Sequence, residues 1–184
     1  MARANFTITT TGPSCSAISP AVAQQASAPA SPSSGETKDM PKVFYGEDGL
    51  PEKVRAMRKR IIEATKTGDI EKLRPIIESN ETPPSFPGGG NSDPITTLKL
   101  ASGDQRGIEI LAILLEILDA GYVHVDVGTP QEMFIWPYFT RIPLDKLSDA
   151  QMVELFRIIT AGDFQDMQDK GVYSFYRIGI GPDG

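Results

Sequence analysis

Apolar residues first recur at helical spacing after Pro51. Val54, Met57, Ile61 and Ile62 form the run, and Thr67-Gly68 ends it. Pro51 sits where the first helical turn tolerates proline. Asp69 then reads as the N-cap of a second helix carrying Leu73, Ile76 and Ile77. The two helices make a hairpin closed at Gly68-Asp69. Asn80 to Pro94 breaks the pattern with Pro83, Pro84, Pro87 and Gly88-Gly89-Gly90, and reads as a loop. A third helix is predicted over Pro94 to Leu100, followed by a turn at Ser102-Gly103-Asp104. Arg106 to Ala120 is apolar nearly all round, as a central buried helix would be. Gly121 reads as its C-terminal cap.

Tyr122 to Val127 alternates Tyr-Val-His-Val-Asp-Val and predicts a strand. Gly128-Thr129-Pro130 turns the chain into Gln131 to Thr140. That segment reads as a short helix with Thr129 as N-cap and Pro130 at its first position. Ser148 and Gln151 form a capping box, and Met152, Leu155, Phe156 and Ile159 give the inner face of the helix it opens. Asp163 to Lys170 reads as a last short helix capped by Gly171. Tyr173 to Ile180 is a strand with apolar groups on both faces. It runs into Gly181-Pro182-Asp183-Gly184, a turn sequence that normally introduces a returning strand. The expectation is a domain cut short at its C-terminal hairpin, or an edge of the last strand completed by something else.

These elements predict an α+β fold: a helix-dominated single domain over residues 42–184. Its small antiparallel sheet comprises Tyr122–Val127, the last strand and Val43–Tyr45. Residues 1–41 are rich in Ala, Ser, Thr and Pro, carry few charges and have Phe6 as their one aromatic, so they read as a disordered leader. Within it, Ala21-Val22-Ala23-Gln24 fits the small-x-small cleavage pattern of a bacterial signal peptide, although Met1 to Ser16 is too polar for a signal core.

Composition narrows the function classes. A net charge of -6 disfavours binding to nucleic acid or to anionic lipid. Cys15 is the single cysteine, so an internal disulfide framework and an all-cysteine zinc site are excluded. No run reaches the roughly 18 apolar residues of a membrane span. Gly88-Gly89-Gly90 lacks the Lys-Ser/Thr of a phosphate loop, and no cofactor is expected.

His124 is the only histidine. Strand alternation places it on one face with Asp126 and Tyr122, and Glu132 follows just past the turn. His124, Asp126 and Glu132 are the candidate acid–base set of a small hydrolase. No second histidine completes a conventional zinc set, so no metal is expected. The competing reading packs Val123, Val125 and Val127 inward and leaves the polar face to solvent. A second constellation, Phe134, Trp136, Tyr138 and Phe139 with Tyr122 nearby, reads either as core or as a groove for a peptide, glycan or protein partner. Glu109 and Glu116 share a helix face with Arg106 and Asp119 and read as a solvated stripe.

Trp136-Pro137-Tyr138-Phe139, Pro143-Leu144, Leu147-Ser148 and the stretch Tyr176 to Gly184 resemble a family of small exported alphaproteobacterial proteins of unknown activity. The resemblance covers roughly Leu50 to Gly184. It implies a periplasmic or otherwise exported protein and a further aromatic-rich strand beyond Gly184. It implies no ligand and no catalytic residue. If the leader is not a signal, the compartment is the cytoplasm. The combined expectation is a non-catalytic binding or structural protein of the cell envelope. The alternatives are the hydrolase and an interaction module presenting the helical hairpin. Nothing in the pattern sets an oligomeric state.

Overall fold

The computed structural model describes residues 6–9, 40–80 and 93–184. In chain order the elements begin with β1 (Phe6–Thr9), β2 (Val43–Phe44) and α1 (Glu52–Lys66). A 3-10 turn over Ile70–Leu73 runs into α2 (Arg74–Glu78). There follow α3 (Pro94–Ala101), α4 (Ile108–Asp119), β3 (Tyr122–Val125) and β4 (Met133–Trp136). After two further 3-10 turns come α5 (Asp149–Phe156), α6 (Ala161–Lys170) and β5 (Arg177–Ile180). The five strands form one sheet in the order β1-β5-β4-β3-β2, antiparallel at every pairing. The α+β architecture matches the pattern of the chain.

The sheet is covered on both faces, which its alternation dictates. Tyr122, Phe134, Trp136, Ile178 and Ile180 join one core with apolar residues of α1 to α4. Val123 and Ile135 point the other way and join Tyr138, Phe139, Leu155, Ile159 and Met167 in a second core beneath α5 and α6. Within α4, Ile110, Leu111, Leu114, Ile117 and Leu118 are buried.

The capping chemistry is local and holds. Asp69 accepts from Glu71 N–H, Asp93 from Thr96 N–H, and the Ser148–Gln151 capping box is reciprocal. Gly171 takes φ 69° at the end of α6. Helix α4 starts two residues later than predicted, at Ile108, because Gly107 at φ 85° turns the chain and the Asp104 side chain accepts from Gly107 and Ile108.

Four expectations are corrected. Gln131 to Thr140 is not a helix: Met133–Trp136 is β4, paired to β3 and β5, and the Thr129 hydroxyl donates to Asp126 O within the turn instead of capping a helix. Gly121 does not cap α4 with positive φ. It is required because a Cβ there would stand 2.8 Å from the Tyr138 ring and 2.9 Å from Val43 Cγ1. Val127 is 65% exposed, so the inward valine face ends with the strand. Within the leader, Phe6–Thr9 is a strand, with Phe6 opposite Ile180 and Thr9 opposite Arg177. It occupies the edge of β5 that the sequence left open. Ala21-Val22-Ala23-Gln24, Cys15 and Gly88-Gly89-Gly90 lie outside the described residues.

Candidate functional site

The β3–β4 hairpin brings His124 and Glu132 together. His124 lies opposite Phe134 in the ladder and stacks on its ring, with centroids 4.0 Å apart. Its Nε2 stands 2.8 Å from Glu132 Oε1. The other carboxylate oxygen accepts the Gly128 N–H at 2.8 Å. These two donors, the Gly128 amide foremost, hold the Glu132 carboxyl below its ordinary pKa. Asp126 does not join them. It takes φ 54°, which ends the strand, and its carboxylate lies 4.0 Å from Arg141. Two members of the predicted trio therefore meet, and both oxygens of the acid are occupied in closing its own loop. Among the described residues no three His, Cys, Asp or Glu side chains converge as metal ligands.

The aromatic constellation is core, not groove. Tyr122, Phe134, Trp136, Tyr138 and Phe139 each expose 1% or less of their surface. Strand alternation divides them: Tyr122, Phe134 and Trp136 pack under the first four helices, while Tyr138 and Phe139 pack under α5 and α6. Tyr122 and Trp136 lie 4.9 Å apart between centroids. A ligand reaching these rings would have to open one core or the other. Trp136 Nε1 is buried without a hydrogen-bond partner among the described residues.

A polar node holds the two layers together. Glu154 on α5 accepts the Gly121 N–H at 3.0 Å through one oxygen. Its second oxygen accepts the hydroxyls of Tyr138 at 2.9 Å and Tyr45 at 3.1 Å. Burial, with the neighbouring carboxylate, raises the Tyr138 phenol far above its ordinary value. The close backbone approach at Gly121 makes this node possible.

Recessed surface lies elsewhere, and two of its cavities run along α1 and α4. One cavity of about 520 Å³ is lined by α1 from Glu52 to Lys66 together with Glu47. A second, of about 250 Å³, is lined by Arg58, Ile62, Lys66, Leu115, Glu116 and Asp119. Arg58, Ile62 and Lys66 belong to both, so the two form one groove. Its rim carries both signs of charge. Arg55 lies 3.8 Å from Glu47, Lys59 3.9 Å from Glu63, and Arg157 bridges Glu116 and Asp119 at 2.9 and 2.8 Å. Lys66 has no carboxylate within ion-pair distance among the described residues. Arg58 anchors the floor: Nη2 donates to Leu118 O at 2.7 Å, satisfying a carbonyl at the end of α4. Its Nε is buried without a partner, and burial lowers its pKa from the ordinary arginine value.

Neither cavity is lined by His124, Asp126 or Glu132. The sequence reading missed this groove. One signal was present: Arg58 falls inside the apolar arc Val54, Met57, Ile61 of α1, where a charge needs a partner. No family model, curated protein or solved structure matches the chain.

Proposed function

We propose that this chain is a non-catalytic binding protein that engages a polypeptide partner along the α1–α4 groove. The supporting observation is the mixed-sign rim around the half-buried Ile62 and around Lys66, which has no ion-pair partner among the described residues. Alternating charges beside a short apolar floor suit a protein surface better than a single-signed polyanion. This reading moves the binding surface away from the aromatic cluster and onto α1 and α4, of which only α1 belongs to the helical hairpin. The export component rests on Ala21-Val22-Ala23-Gln24 and on the family resemblance. Amino-terminal sequencing of protein recovered from the native cell envelope tests it, and an intact Met1 in the cytoplasm would refute it.

The groove is tested by placing a photo-crosslinking residue at Lys66 or at Lys170 on the distant α6. The expected outcome is one discrete crosslinked species from Lys66 and none from Lys170, abolished by Lys59→Glu with Ile62→Asp. Equal labelling from both positions sinks the proposal. The hydrolase reading retains one favourable contact, His124 to Glu132. It requires turnover of an envelope substrate that disappears in His124→Ala while the fold is kept.

A further inference from the structure

Helix α1 carries Arg58, Ile62 and Lys66 at steps of four, and all three line both halves of the groove. Steps of four set side chains next to one another along a helix, and eight residues span about 12 Å of its axis. The stripe is therefore a cation, a half-buried apolar residue and a second cation. Leu115 of α4, also half-buried, lines the same recess.

The charges beside the stripe are already matched. Arg55 faces Glu47, Lys59 faces Glu63, and Arg157 holds both Glu116 and Asp119. Arg58 and Lys66 differ: among the described residues neither has a carboxylate within ion-pair distance. Glu47 and Asp119 attract Arg58 only from further away. The Arg58 guanidinium is nonetheless fixed, because Nη2 donates to Leu118 O at 2.7 Å. Its Nη1 is accessible and has no hydrogen-bond partner among the described residues. A guanidinium pinned by a carbonyl presents that group to an incoming acid with little side-chain freedom left to lose.

The pattern selects among acids. A phosphate chain, charged at every unit, would also set charge against Glu47, Glu63, Glu116 and Asp119. So would a run of Asp or Glu, which Glu52 would repel as well at the start of α1. Two carboxylates spaced for Arg58 and Lys66, with an apolar side chain between them for Ile62 and Leu115, meet the unmatched charges alone. A helix laid along a helical groove supplies that spacing from residues eight apart.

We infer that the groove takes up an acidic amphipathic helix of a partner protein, with one carboxylate on Arg58, a second on Lys66 and an apolar side chain between them. This rests on the reading of the groove as a polypeptide-binding surface and adds the chemistry of what binds there.

The probe is a fluorescein-labelled, alanine-based helical peptide with Glu at two positions eight apart and Leu midway. It is titrated with the full chain and followed by anisotropy, and saturable binding is expected. Changing both peptide Glu residues to Gln, or Lys66→Glu in the protein, should weaken binding about tenfold. One of the two peptides with a single Glu changed to Lys should bind Lys66→Glu more tightly than it binds wild type. Arg58→Gln should weaken binding likewise, and if it unfolds the chain, the exposed Lys66 decides. No saturable binding overturns the inference, and so does an affinity indifferent to the peptide carboxylates or to Lys66. A photo-crosslinking residue at Leu115, which leaves both cations in place, separates the two readings. A discrete crosslinked species with a silent probe would leave polypeptide binding standing and remove only the acidic helix; the loss of both signals removes both.

Discussion

Glu154 and Glu132 each use both carboxylate oxygens, yet their donors come from very different distances along the chain. Glu154 gathers Gly121, Tyr138 and Tyr45, which are 33, 16 and 109 residues away. Glu132 gathers Gly128 and His124, four and eight residues away. The first ties α5 to the α4–β3 junction and to the segment after β2. The second closes a turn that its own hairpin already specifies. The conspicuous residue types sit at the second, while the first holds the molecule's layers together. A carboxylate's structural weight follows from what its donors would otherwise lose, and not from how reactive its neighbours look.

The comparison can be attacked at high pH, where the largest effect is expected. Tyr45, Tyr122, Tyr138, Tyr173 and Tyr176 all have phenols raised above the ordinary value, burial being the leading cause for each. Above about pH 10 the unfolded chain sheds protons that the folded chain keeps, so stability falls as pH rises. Urea midpoints measured from pH 8 to 11 should show a steep fall, and Tyr138→Phe should flatten it by one phenol's share.

Substitution at the node comes next. Glu154→Ala strands the Gly121 N–H and the Tyr138 hydroxyl, and should lower stability by about 2–4 kcal/mol in urea melts. Glu154→Gln keeps one acceptor oxygen for the Gly121 N–H and turns the other position into an NH2 from which the tyrosine hydroxyls can accept, so it should cost less. An equal loss would mean that the charge, not the hydrogen bonding, matters.

Gly121→Ala probes the approach that the node requires. The new methyl would stand 2.8 Å from Tyr138 Cδ1 and 3.0 Å from Tyr45 Cε1, and overpacking of this kind costs about 1–3 kcal/mol. Melting data that match the wild type would show that the junction can relax.

The smallest effect belongs to the hairpin. Glu132→Ala should lower the urea midpoint at pH 7 slightly, and by less than any substitution at the node. The folded Glu132 carboxyl is depressed, so its contribution is present above the unfolded value and is lost as pH falls through the folded one. A large destabilisation at neutral pH would overturn the ranking of the two sites.

Legibility followed sequence distance. Helices α1 and α4 and the caps at Asp69, Ser148 and Gly171 are set by neighbours within a few positions, and the sequence pattern locates them. Strand β4 misleads because Thr129-Pro130 imitates a helix start, and a four-residue apolar run does not distinguish a buried strand from a helical turn. His124 and Glu132 were found because only a short turn separates them, although the residues after that turn read as a helix and not as the strand that pairs with β3. Asp126 was misplaced because its positive φ breaks the alternation that had put it on the same face. Glu154 carries no local signal, since each of its donors arrives through tertiary packing. Phe6–Thr9 carries only a weak one: Phe-Thr-Ile-Thr alternates, but over four residues within a stretch rich in Ala, Ser, Thr and Pro, and its partner β5 is the last strand in chain order.

That last pairing has a consequence for synthesis. A ribosome releases Phe6–Thr9 long before Arg177–Ile180, the strand that receives it. Helices α1 and α4 can collapse together while the chain is still growing, and β3 can meet β4 as soon as their hairpin emerges. The margin of the sheet has to wait. Until β5 emerges, Phe6–Thr9 has no strand of the sheet to pair with. Closing that edge is therefore the last step in assembling the sheet, because it joins the first and the last of its strands in chain order.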